Sequence, residues 1–197
     1  MQDLRWPSEE VRSRWSDLAG FCRELTDEVL ALALEPPADA AAFAARAEAT
    51  KAVAASRRFG DDYSVAYALH YPNGEGGAPT LSRDDAGEDG INVKEHVDPS
   101  LVVVEPVADV VGLDVFDRVA QCWLSVEAAS KSPGSDFVVF GGSALEKASG
   151  GRIRACLHRV VASDYHHRKH GSENGQEKPA SRRRFCFIYE QKVAEYY

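Results

Sequence analysis

The sequence predicts a mainly β fold, a barrel or jelly roll, preceded by helices. Two observations carry this reading. Residues 8–34 place apolar side chains at Val11, Trp15, Leu18, Cys22, Leu25 and Val29, alternating steps of four and three that line one stripe of a helix. From Ile91 onward come short apolar runs with turn signals between them, at 91–98, 101–105, 111–115, 122–126, 136–140, 152–161 and 184–190. Many short strands at close spacing are the mark of a sandwich or barrel. With 197 residues the chain can bury a sizeable core. A single domain is expected over 1–197, with 1–60 as helical backing and 61–197 as the barrel.

In the first helix, Ser8 after Pro7 serves as N-cap, and Glu9 and Glu10 sit in the first turn, where the helix dipole favours acids. Glu35-Pro36-Pro37 ends it, because proline cannot continue the backbone hydrogen bonding. A second, alanine-rich helix is expected over 38–58. Residues 63–71 are aromatic and β-branched enough for a strand, stopped by Pro72-Asn73-Gly74. Residues 73–90, rich in Gly, Asp and Pro, read as a loop. Residues 163–183 are polar and basic and read as an inserted, mobile loop, with His166-His167-Arg168-Lys169-His170 as part of its solvated surface. No internal repeat is present.

A formal net charge of -8 argues against nucleic acid or an anionic membrane as partner, since both require a basic footprint. No apolar run approaches the roughly 18 residues of a membrane span. Cys22, Cys122, Cys156 and Cys186 lack CxxC or zinc-finger spacing. They read as reduced, buried thiols of a cytoplasmic protein. Trp123 is expected to pack in the core.

The chemistry concentrates in His96-Val97-Asp98 and His158-Arg159-Val160. Residues two apart on a strand face the same side, so His96 and Asp98 can serve one ion together. His158 lies on a later strand able to face the first across a barrel. Two histidines and a carboxylate form the facial ligand set that suits non-haem Fe(II) and leaves coordination positions open.

The flanks sharpen this. Gly112-Leu113-Asp114-Val115, Trp123-Leu124-Ser125-Val126 and Val138-Val139-Phe140-Gly141-Gly142-Ser143 lead into Ser149-Gly150-Gly151-Arg152 and then Leu157-His158-Arg159-Val160. Order and spacing resemble the iron/2-oxoglutarate dioxygenase superfamily, in its isopenicillin N synthase-like branch. There the catalytic half reads as an H-[TV]-D strand, a GLxV strand, WxxV, a VVNxGD-type turn and a segment ending in SNGRxxSxxHRV. Residues 138–160 match the last part without a gap. Ala68-Leu69-His70-Tyr71-Pro72 looks like the family's NxYP strand, and the first helix resembles the one that backs the family's barrel. The resemblance runs over 15–189 and is most specific between His96 and His158.

The resemblance implies a double-stranded β-helix, a cupin-like jelly roll backed by helices, with Fe(II) held by His96, Asp98 and His158. It implies 2-oxoglutarate as co-substrate with O2. The family grips the distal carboxylate of 2-oxoglutarate with an arginine in an RxS motif, and Arg184-Phe185-Cys186 is the matching stretch, with Arg182 and Arg183 as neighbouring alternatives. Arginine suits the task because its planar fork makes two charge-assisted hydrogen bonds to a carboxylate. Tyr71 adds a hydroxyl donor, as its family counterpart does. This chain departs from the pattern with Cys186 for the serine, Leu69 for an asparagine, and Phe140 and Ser143 in the GD turn.

The implied function is oxidation of a small organic substrate, by hydroxylation or a related reaction, with release of succinate and CO2. A peptide or protein side chain is the next substrate class. The alternatives are an iron oxidase on the same fold that uses no 2-oxoglutarate, and an inactive binding or scaffold protein that kept the barrel. The chain begins close to the backing helix, so the family's pocket-covering N-terminal segment is unmatched. A partner or a second copy is expected to cover the pocket.

Overall fold

The computed structural model describes residues 6–34, 64–73, 90–165 and 182–192. The helix expected over 38–58, the His166–His170 cluster and most of the loops 73–90 and 163–183 lie outside the described residues.

Helix α1 runs Glu9–Ala33, with Ser8 in an extended conformation at its N-cap. The Ser8 Oγ accepts a hydrogen bond from the Val11 N–H at 3.2 Å, satisfying one of the donors that a helix start leaves open. Its apolar stripe begins to bury only at its second member. Val11 is exposed, Trp15 meets the Phe187 ring edge-on at 4.9 Å, and Cys22 and Leu30 are buried with Leu34. They pack against Leu101, Val102, Val104 and Tyr189, forming the core between helix and sheet.

Eight strands follow among the described residues: β1 Val65–Tyr71, β2 Ile91–His96, β3 Val102–Pro106, β4 Leu113–Asp117, β5 Cys122–Ser125, β6 Phe137–Gly141, β7 His158–Val161 and β8 Arg184–Gln191. They form two antiparallel sheets in the orders β1-β8-β3-β6 and β2-β7-β4-β5. The chain passes repeatedly from one sheet to the other, the strand arrangement of a jelly roll. The expected double-stranded β-helix is the fold observed.

The two-residue period of a strand explains who faces where. In β3, Val102 and Val104 point to α1, while Val103 and Glu105 line a cavity between the sheets. In β8, Phe187 and Tyr189 point to α1, while Arg184, Cys186 and Ile188 face the cavity. This is why β3 is buried on both faces from Val102 through Glu105.

Local chemistry moves some boundaries. The run 122–126 stops at Ser125, whose Oγ accepts from the Ala128 N–H and caps a short helix, α2, Val126–Ala129. A further short helix, α3, covers Ser143–Ala148. Of the run 152–161 only His158–Val161 is strand, because Gly150 and Gly151 turn the chain at φ 63° and 81° just before it. Trp123 does not reach the core. It is half-buried on β5, and the Arg159 guanidinium lies 4.2 Å from its ring centroid. Cys122 is exposed rather than buried. Among the described residues no helix is long and apolar enough to cross a membrane.

Candidate active site

Strands β2 and β7 run antiparallel with His96 directly opposite His158, so the two imidazoles approach to 4.2 Å between ring centroids. Strand β2 ends at His96, so Asp98 sits in the turn beyond it rather than on the strand. Its carboxylate nevertheless meets both rings, with Oδ1 at 3.5 Å from His96 Nε2 and Oδ2 at 3.6 Å from His158 Nε2. One donor atom from each of the three lies within 4.8 Å of the others.

The backbone orients these rings. His96 Nδ1 lies 2.8 Å from the Lys94 carbonyl, and His158 Nδ1 lies 3.1 Å from the Cys156 carbonyl. A carbonyl only accepts, so Nδ1 carries the hydrogen and Nε2 presents its lone pair to the common point. The Asp98 carboxylate raises the pKa of His96, whereas burial lowers that of His158. An oriented pair of imidazoles with a carboxylate between them fits a divalent ion of the Fe(II) type, which binds them once they are deprotonated.

The turn at Asp98 is held by the Gly141-Gly142-Ser143 segment. The Ser143 N–H donates to the Asp98 carbonyl at 2.7 Å, and the Ala144 N–H to that of Ser100 at 3.2 Å. A Cβ on Gly142 would lie 2.2 Å from the Ser100 carbonyl oxygen and 2.7 Å from that of Asp98. Glycine is needed here for close approach of two backbone segments.

The triad opens on a cavity of about 110 Å³ that Tyr71, Glu105, Arg184 and Cys186 also line. Of the three neighbouring arginines, Arg184 is the one that reaches it. Arg182 is exposed and pairs with Asp109 at 2.9 Å, and Arg183 is exposed as well. Tyr71 and Cys186 are buried, the Arg184 guanidinium carbon lies 5.7 Å from the Tyr71 ring centroid, and burial pushes the Tyr71 hydroxyl up to about 12.

Arg184 is 1% exposed and already engaged. Its Nη2 contacts Glu105 Oε1 at 2.9 Å and Glu127 Oε1 at 2.9 Å, and its Nε reaches Glu127 Oε1 at 3.3 Å. The Glu127 carboxylate also accepts from the N–H groups of Gly112 and Leu113, each at 3.1 Å. A Cβ on Gly112 would lie 2.6 Å from Arg184 Cδ, so the bare glycine makes room for the side chain. Among the described residues Arg184 Nη1, which is buried, has no hydrogen-bond partner. That orphan donor, on a residue lining the cavity, fits a carboxylate ligand, while the opposite edge of the guanidinium is taken.

Sequence reasoning missed both glutamates. Glu105 had a signal, being a charge inside an otherwise apolar strand and in phase with the inward-facing Val103. Glu127 had none, since it looks like any acid in the first turn of a short helix.

A family model described as the 2OG-Fe(II) oxygenase superfamily matches residues 62–170. Among solved structures, a candidate oxygenase of Shewanella oneidensis is similar at 20% identity and a TM-score of 0.60, over 98% of this chain and 60% of its own. A candidate 2OG-Fe(II) oxygenase family protein of Caulobacter crescentus is similar at 22% identity and a TM-score of 0.57, over 98% of this chain and 51% of its own. Both share the fold, and this chain spans only some half to three fifths of their length. No curated protein matches the sequence.

Proposed function

The chain belongs to the 2OG-Fe(II) oxygenase superfamily, and from that premise we propose that His96, Asp98 and His158 hold Fe(II) while Arg184 and Tyr71 receive 2-oxoglutarate. The family's cofactor and co-substrate, when bound, supply oxidation by O2 coupled to decarboxylation of 2-oxoglutarate to succinate and CO2. The observation that carries the reading is the β2–β7 register, which sets two imidazoles side by side, tilted 52° to each other, with the Asp98 carboxylate within 3.6 Å of both.

The residues of this chain have separable tasks. His96, Asp98 and His158 would hold the ion at the wall of the cavity, where it would supply coordination sites for co-substrate and O2. The carbonyls of Lys94 and Cys156 fix both rings before the metal arrives. Arg184 Nη1 offers a charge-assisted hydrogen bond to a carboxylate, and Tyr71 adds its hydroxyl. Leu69, Val93, Phe140 and Ile188 make the remaining wall apolar, which limits water and suits a small organic substrate.

One observation favours a second reading. Two carboxylates already hold Arg184, the arrangement expected if the arginine were structural and the protein an iron oxidase without 2-oxoglutarate. Anaerobic titration with Fe(II) and then 2-oxoglutarate, watched for the weak visible charge-transfer band of the chelate, separates the two. A band followed by succinate release in air supports the first reading. Iron binding with neither band nor succinate supports the second.

A further inference from the structure

The group around Arg184 is unbalanced. One guanidinium faces two carboxylates, Glu105 from β3 and Glu127 from α2, and all three side chains are at most 4% exposed. With both acids ionised the cluster carries a net negative charge in a site of low dielectric. A buried charge without a full partner is costly, so the cluster as it stands opposes the entry of a second, dianionic ligand.

The two acids are not equivalent. Glu127 is bound on all sides, by the N–H groups of Gly112 and Leu113 and by two nitrogens of Arg184. Glu105 touches Arg184 through a single bond and lines the cavity, which Glu127 does not. The titratable and charged groups facing Glu105 are Arg184 and Cys186 from β8, Glu127 from α2 and Tyr71 from β1. Burial raises the Cys186 thiol to about 11 and the Tyr71 hydroxyl to about 12, so both stay neutral around neutral pH. Burial also raises the Glu105 carboxyl, against the pull of Arg184. Glu105 is therefore the member of this cluster able to change charge without breaking the scaffold.

We propose that Glu105 takes up one proton from solvent when 2-oxoglutarate binds, so that the distal carboxylate of the co-substrate replaces the Glu105 charge opposite Arg184. The inference rests on the reading that Arg184 receives the co-substrate. The proton adds to a Glu105 carboxylate oxygen, and no other bond changes. The sign follows from linkage. The neutral form of Glu105 is the one that binds, so the dissociation constant is flat below the titration of Glu105 in the free protein. Above it, the constant rises by up to about tenfold per pH unit.

The test is calorimetric titration of the Fe(II)-loaded full chain with 2-oxoglutarate, without O2, from about pH 6 to about pH 9 and in two buffers of different ionisation enthalpy. Wild type is expected to take up close to one proton at the alkaline end and to weaken steadily with pH. Glu105→Gln, neutral at every pH, is expected to take up none and to bind at least about tenfold tighter than wild type at the alkaline end. Wild-type binding that is pH-independent and takes up no proton overturns the proposal, and this arm stands even if the variant does not fold. Absence of binding by both proteins at every pH, or binding undiminished in Arg184→Met, overturns the assignment of Arg184 and the inference with it.

Discussion

Gly112 and Arg184 occupy a space that admits no β-carbon between them: one placed on Gly112 would lie 2.6 Å from Arg184 Cδ and 2.9 Å from Nε. The same glycine donates its N–H to Glu127, which in turn holds the guanidinium. One residue thus leaves room for the arginine and anchors its partner. Gly112→Ala is expected to cost about 1–3 kcal/mol, as overpacked cores do, and to weaken 2-oxoglutarate binding. Chemical denaturation and calorimetry check both, and an unchanged midpoint would show that the backbone or the arginine yields freely there.

Replacing His96, Asp98 or His158 by alanine is expected to abolish binding of Fe(II), or of Mn(II) as a stable surrogate, with the β-rich circular dichroism spectrum retained. His96 and His158 sit at strand ends and Asp98 in the turn beyond β2, all on the cavity side and away from the core between α1 and the β1-β8-β3-β6 sheet. Full metal affinity in Asp98→Ala would sink the metal assignment.

Arg184→Met leaves Glu105 and Glu127 buried without a counter-charge, and breaking a buried pair from one side costs about 3–5 kcal/mol. The loss has a pH signature. Glu105, raised by burial and no longer pulled down by Arg184, would have a folded-state pKa above the unfolded value, so its protonated form favours folding. Stability is then highest below the ordinary glutamate range and declines as pH rises through the raised value. Thermal melts across pH test this, and a variant equally stable at acid and neutral pH contradicts it. The same variant should show a sharply raised requirement for 2-oxoglutarate, because the orphan Nη1 donor goes with the side chain.

A thiol reagent at neutral pH should modify Cys122 first, since it is exposed while Cys22 and Cys186 are buried with thiols pushed up to about 11. Mass spectrometry of the native protein reads the order directly. Early labelling of Cys22 would mean that α1 does not stay docked on the sheet.

Much of the architecture is legible in the sequence. The four-and-three spacing from Trp15 to Val29 found α1, and Ser8 found its start. The alternation in short apolar runs found the strands to within a few residues, except where Ser125 caps a helix and Gly150-Gly151 turns the chain. Those exceptions come from side-chain and backbone conformations that act over two or three residues and overrule a hydrophobic run. Trp123 and Cys122 lie outside the core because β5 is an edge strand of its sheet, and an edge leaves apolar residues in reach of solvent.

The sequence by itself singled out the candidate metal ligands. Two histidines and an aspartate at their spacing, within a run of strands and glycine turns, name a ligand set because metal chemistry restricts the donors. Only the tertiary structure decided what surrounds Arg184. Glu105 and Glu127 lie 79 and 57 residues from it along the chain, and a jelly roll brings them together by passing between two sheets. No local period encodes such a meeting, since each acid is ordinary in its own segment. The charge balance of the cavity exists only once β3, β8 and α2 have packed.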